Sequence, residues 1–162
     1  MALSHLQVTI LQKIELFFPV DPVAVQSVKT YRAGKFIRFY QPSKVTDYKE
    51  NLKILAKKQL PEGFELFKGP TGIKTTFVFA PPKSFQKKKV ILMEQGWLFR
   101  KTTRPDLTDN LHKALLDALT KIIWEDDAII AHNTSDKFYG PEPGIKLEVF
   151  ALNEAVLLTK TL

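Results

Sequence analysis

The 162-residue chain contains no cysteine, which excludes a disulfide scaffold and any metal site built on thiolates. Its three histidines, His5, His112 and His132, lack metal-ligand spacing, and His112 reads as a surface residue or a nucleic-acid contact. No glycine-rich phosphate loop of the Walker type occurs, which argues against an ATP-driven enzyme. No apolar run approaches the roughly 18 residues of a membrane span. The segment Met1 to Ile10 lacks a basic stretch followed by a long apolar block, so a soluble cytoplasmic protein is expected. Acids are outnumbered as well, 17 against 24 Lys and Arg, for a net charge of +7. That balance favours polyanionic partners through phosphate neutralisation and counterion release, although charge alone is equally compatible with incidental binding.

What remains is 44% hydrophobic, enough for one domain with its own core. Lys13 to Val20 predicts a strand that Pro19 and Pro22 terminate. Val23 to Lys44 carries Lys29, Arg32, Lys35, Arg38 and Lys44 with no acid. Tyr31, Phe36, Phe39 and Tyr40 are interleaved there, as in a hairpin or loop that tracks a nucleic-acid backbone or pairs aromatics across strands. Val45, Tyr48, Leu52, Leu55, Ala56 and Gln59 recur at helical spacing, predicting an amphipathic helix over Ser43 to Gln59 that Pro61 stops. Gly72 to Phe79 alternates as a strand, with Ile73, Thr75, Phe77 and Phe79 on one face. Ala80 to Arg104 holds Lys83, Lys87, Lys88, Lys89, Arg100, Lys101 and Arg104 against the single acid Glu94. It reads as a mobile basic loop with a short helix near Val90 to Met93, ordering on a ligand. Gly144 to Phe150 alternates again and predicts a further strand. The tail Ala151 to Leu162 is weakly determined, with Val156-Leu-Leu158 able to dock on a partner subunit or on the domain itself. The expected class is α+β, a small mixed sheet packed against two main amphipathic helices.

Acids gather in one block. Leu111, Ala114, Leu115, Ala118, Leu119 and Ile122 form an apolar stripe of a helix, while Asp109, Lys113 and Asp117 step by four along an adjacent face. Thr108 or Asp109 is the plausible cap. A helix from Asp109 to about Thr120 climbs roughly 16 Å, and an extended return from Lys121 to Asp127 covers roughly 20 Å. Asp127 can therefore come back beside Asp106 and Asp109. Clustered carboxylates repel unless a cation neutralises them, and an all-oxygen set suits Mg²⁺ or Mn²⁺. Lys113, one turn after Asp109, is placed to stabilise charge on a scissile phosphate or to position water. An exposed acidic turn at Glu125-Asp-Asp127 and a solvated charge ladder along the helix are the alternatives. The restriction-enzyme signature is excluded, since no acid-X-Lys triplet follows Pro105-Asp106 within 40 residues.

The pattern Arg104-Pro-Asp106-Leu-Thr-Asp109-Asn110-Leu-His-Lys113, continuing through Asp117-Ala-Leu to Trp124-Glu-Asp126-Asp127, resembles the RusA family of Holliday junction resolvases. Tyr40-Gln-Pro-Ser-Lys, the Pro81-Pro82-Lys-Ser-Phe-Gln-Lys-Lys-Lys segment and Phe138-Tyr-Gly-Pro are similar to that family too, so the likeness covers residues 13 to 150. It implies a homodimer, encoded by a bacterium, a prophage or a phage, that nicks opposed strands of a four-way DNA junction with Mg²⁺. It carries the acidic ligands onto Asp106, Asp109 and Asp127 and the essential lysine onto Lys113, with Asp126 as the neighbouring acid. Lys29, Arg32, Lys35, Arg38, Lys87, Lys88, Lys89, Arg100, Lys101 and Arg104 are the expected DNA contacts. One departure stands out. The family usually reads Asp-X-Asp-Asn, whereas two residues, Leu107 and Thr108, separate Asp106 from Asp109, and the extra residue bears on where Asp106 points. A junction-binding protein with structural acids and no cleavage is the alternative reading.

Overall fold

The computed structural model describes residues 12–24, 29–33, 35–40 and 43–155. The side chains of residues 29–33, 36–40 and Asp109 stand outside that description, as does the expected docking segment Val156-Leu-Leu158. Strand β1 (Lys13–Phe18) ends just before Pro19. Strands β2 (Lys29–Ala33) and β3 (Phe36–Tyr40) pair antiparallel as a separate ribbon, so the basic segment is a hairpin. Helix α1 (Ser43–Gln59) spans the expected residues and buries Val45, Tyr48, Leu52 and Ala56, one stripe at 3.6-residue spacing. Its last residue also braces β1, because the Gln59 amide accepts from Phe17 N at 2.9 Å and donates to Phe17 O at 2.8 Å. That replaces the missing neighbour of an edge strand.

The chain continues through β4 (Thr71–Phe79), α2 (Lys87–Glu94), β5 (Phe99–Arg100), a π turn (Leu107–His112), α3 (Lys113–Leu119), a 3-10 turn (Asp127–Ile129), β6 (Ile130–Tyr139) and β7 (Gly144–Ala151). The five-stranded sheet has the order β1-β7-β4-β6-β5. Only β4 and β6 are parallel, and the other neighbours are antiparallel. One face carries Leu16, Phe18, Ile73, Phe77, Ile145, Leu147 and Val149, all buried against α1 and α3. On the opposite face Glu148 lies among Lys13, Lys74 and Lys146 at 3.4, 3.8 and 4.0 Å. The α+β class with a mixed sheet under two main helices is therefore what the chain forms.

Two expectations need correction. The segment from Ala80 to Arg104 is not one unstructured loop: α2 covers Lys87–Glu94, and Phe99 and Arg100 pair with Tyr139 and Phe138 on the sheet edge. Phe85 packs against both Phe99 and Tyr139, with Lys89 Nζ over the Phe85 and Phe99 rings. The return after α3 is not an extended run either. Lys121 turns the chain at φ 67°, its N–H bonds to Trp124 O at 2.8 Å, and a 3-10 turn follows at Asp127. Among the described residues no helix is long and apolar enough to cross a membrane.

Candidate active site

Strand β6 is the bed on which the acidic block rests. In the parallel ladder Asn133, Ser135, Lys137 and Tyr139 pair with Ile73, Thr75, Phe77 and Phe79, so they share the helix-facing side. That row is polar, and each member holds something. Lys137 Nζ donates to Thr103 O at 2.8 Å and Pro105 O at 2.7 Å. Lys101 Nζ donates to Arg104 O at 2.6 Å, to Thr103 Oγ1 and to Tyr139 Oη at 3.2 Å. Three successive carbonyls immediately before Asp106 are thus fixed by two ammonium groups. Lys137→Met is expected to cost about 1–3 kcal/mol by leaving two carbonyls without a donor. Urea unfolding would measure it, and an unchanged midpoint would show that the lead-in loop does not depend on this clamp.

Leu107 and Thr108, the two residues between Asp106 and Asp109, sit in a widened turn. Leu107–His112 forms a π turn, closed by Leu111 N to Asp106 O at 3.3 Å, a bond across five residues where an α-helix spans four. With this wider turn Leu111, Ala114, Leu115, Ala118 and Leu119 are all fully buried, so the apolar stripe running into α3 stays on the core. Asp106 flanks the turn in extended conformation without capping it, and Asn110 Nδ2 lies 3.5 Å from its Oδ2.

His112 is 4% exposed, contrary to a surface role. Its Nε2 meets Ser135 Oγ, and its ring stands edge-on to Phe77 at 5.6 Å. Burial pushes its pKa below the ordinary 6.5. The unfolded chain then binds this proton more readily than the folded one, so His112's stability contribution is complete above about pH 6.5 and shrinks as pH falls below it. The unfolding midpoint is expected to fall between pH 7 and 5, and less steeply in His112→Gln. Parallel curves for the two proteins would refute this.

At the other end of α3, Trp124 is fully buried and its Nε1 donates to Thr120 Oγ1 at 3.1 Å. Phe67 bridges the same turn, accepting from Glu125 N at 3.0 Å and donating to Ile123 O at 2.9 Å. The two neighbouring acids then separate in role. Asp126 accepts from Ala128 N at 2.9 Å, capping the 3-10 turn, and that bond holds its carboxyl below the usual range. Asp127 lines a cleft of about 340 Å³ with Thr108, His112, Lys113, Leu116, Asp117 and Asn133. Asp117 bonds to Lys49 of α1 at 2.9 Å.

Asp127 and Lys113 are therefore brought to one cleft, joined by Asp117 and Asn133, while Asp106 is not part of its lining. Asp109 lies on the π turn one helical turn before Lys113, and its side chain is outside the described residues. Among the described residues no three acids or histidines stand close enough to hold a metal. The oxygen donors present nonetheless suit a hard cation in chemical type. Of the expected DNA contacts, Lys35, Lys87, Lys88, Arg100 and Arg104 are exposed and Lys89 is half-buried. Lys101, 9% exposed and engaged as above, is an internal clamp. Lys29, Arg32 and Arg38 lie on the hairpin, their side chains outside the description. The residues sequence reasoning missed, Asn133, Ser135 and Lys137, form a period-two polar row whose only signal is its alternation.

A basic α+β chain with a carboxylate-and-lysine cleft on a sheet-backed helix has the makings of a phosphodiester-handling protein. The chain is 32% identical over 132 residues to the uncharacterized protein YqaN of Bacillus subtilis (strain 168), covering 80% of this chain and 89% of that one. The family model "Endodeoxyribonuclease RusA" matches residues 19–150. The chain belongs to the RusA family, endodeoxyribonucleases that as a family resolve Holliday junctions.

Proposed function

We propose that this protein is a Mg²⁺-dependent endonuclease that resolves four-way DNA junctions by paired nicks in opposed strands. The observation that carries the reading is the meeting of Asp127 and Lys113 in one cleft, in a chain of the RusA family. By the family likeness Asp127, Asp109 and Asp106 would hold the Mg²⁺, Asp106 from outside the cleft lining, and Mn²⁺ is a chemically reasonable substitute. Such an ion supplies a more acidic bound water and neutralises charge on the phosphate. Lys113 would bind the phosphate oxygens and stabilise the charge that builds on them. Asp117, already paired with Lys49, keeps the neighbouring helix face in place.

Exposed Lys87, Lys88, Arg100 and Arg104, with half-buried Lys89 and the β2–β3 hairpin, would meet the DNA backbone. Two copies related by a two-fold axis would present equal clefts to opposed strands of a near-symmetric junction. The test is cleavage of an end-labelled synthetic junction beside linear duplex, in Mg²⁺ and in Mn²⁺, with light scattering for the assembly. Symmetric nicks in the junction alone are expected. Tight junction binding without cutting in either metal would instead identify a junction-binding protein.

A further inference from the structure

The row Asn133–Ser135–His112 has a direction that can be worked out from hydrogen counting. Ser135 Oγ donates its single hydrogen to Asn133 Oδ1 at 3.0 Å. It then has only lone pairs left for His112 Nε2, so Nε2 must carry the imidazole proton. Nδ1 of a neutral ring is then a bare acceptor, and Nδ1 is indeed buried with no partner among the described residues. The reverse arrangement, with Asn133 Nδ2 donating to Ser135 and Ser135 donating to Nε2, would leave an orphaned N–H at Nδ1. A buried orphan N–H is the rarer and costlier defect, so the first arrangement wins. Its consequence reaches the cleft. With Oδ1 held by Ser135, the amide nitrogen of Asn133 is left for the cleft shared with Asp127 and Lys113, and no acceptor among the described residues engages it.

We propose that Asn133 contacts the substrate in this cleft, its amide N–H donating to a non-bridging oxygen of the bound phosphodiester, and that Ser135 and buried His112 are positioning residues that fix the amide's orientation. This rests on the nuclease reading above. Two acids in the cleft repel phosphate oxygens, and a fixed neutral donor beside Lys113 offsets that repulsion without attracting a competing anion. The alternation of β6 and the place of His112 just before Lys113 tie donor and lysine to the same rigid elements.

The experiment pairs two readouts on the full-length chain. Long-range 1H–15N correlation of the His112 ring is expected to show the Nε2–H form in the wild type. In single-turnover cleavage of a four-way junction with Mg²⁺, Asn133→Ala is expected to cut about 100-fold more slowly, with unchanged thermal stability. Ser135→Ala should cut about 10-fold more slowly, and Ser135→Thr, which keeps the hydroxyl, should restore the rate. An Nδ1–H tautomer, or wild-type cutting by Asn133→Ala, overturns the proposal while leaving the nuclease reading intact. A wild-type chain that binds but does not cut sinks the nuclease reading alone. In that case a roughly 10-fold loss of junction affinity in Asn133→Ala, with the Nε2–H tautomer, upholds the donor, and unchanged affinity overturns it.

Discussion

Asp127→Asn is expected to bind a four-way junction as tightly as the wild type and to cut it at least about 100-fold more slowly in Mg²⁺. The substitution keeps the side chain's shape and removes its charge, so cleft geometry and DNA contacts should survive while the ligand proposed for the hard ion is weakened. Its control is the adjacent residue. Asp126 accepts from Ala128 N and caps the 3-10 turn, and the carbonyl oxygen of Asn can accept the same bond. Asp126→Asn should therefore cut within a few-fold of the wild type. If Asp126→Asn abolishes cutting and Asp127→Asn does not, the assignment of the two acids is reversed. Loss of binding in both would show that the turn itself had moved.

Trp124→Ala should lower unfolding free energy by about 3–5 kcal/mol, as expected for emptying a fully buried indole site. The site cannot collapse easily, because Trp124 sits in a turn held by Phe67 on one side and by the end of α3 on the other. Trp124→Phe should cost much less, since it keeps most of the volume and gives up one hydrogen bond to Thr120, about 1 kcal/mol. Urea unfolding of the three proteins gives both values. Equal losses for Ala and Phe would mean the hydrogen bond outweighs the cavity. Because this turn delivers Asp127 to the cleft, the Ala variant is also expected to cut more slowly at temperatures where it stays folded.

The parts of this molecule that could be read from sequence are those where burial follows a clean period. Val45, Tyr48, Leu52 and Ala56 announced α1, and Ile145, Leu147 and Val149 announced β7. Strand β6 was illegible because its helix-facing row, Asn133, Ser135, Lys137 and Tyr139, is polar: it packs on a loop's carbonyls and on His112 rather than on an oily layer. The stripe of α3 was legible, but the π turn before it was not, since a widened turn changes hydrogen bonding without changing which residues are apolar. Spacing put Asp127 beside Asp106 and Asp109 by way of an extended return, whereas the chain comes back through the Lys121 turn and a 3-10 turn to the cleft lined by Lys113, with Asp106 outside that lining. The separate fates of Asp126 and Asp127 were not legible, because a cap and a cleft residue look the same in sequence. Lys101 was counted with the DNA-facing cations, yet aromatic walls from Phe79 and Tyr139 and the Arg104 carbonyl draw it inward.

The parallel pairing of β4 with β6 dictates when the cleft can exist. Thr71 meets Ile130 across the ladder, so the whole stretch carrying Lys101, Asp106, Lys113 and Asp127 is one long closed loop. Helix α3 spans only seven residues and has little stability alone, and the bed beneath it forms only when that loop closes, a step that costs chain entropy. Lys113 and Asp127 therefore gain their common bed only once β6 is in register with β4. A chain in which β4 and β6 have not yet paired has no shared bed for Lys113 and Asp127, and is expected to lack the cleft that they line.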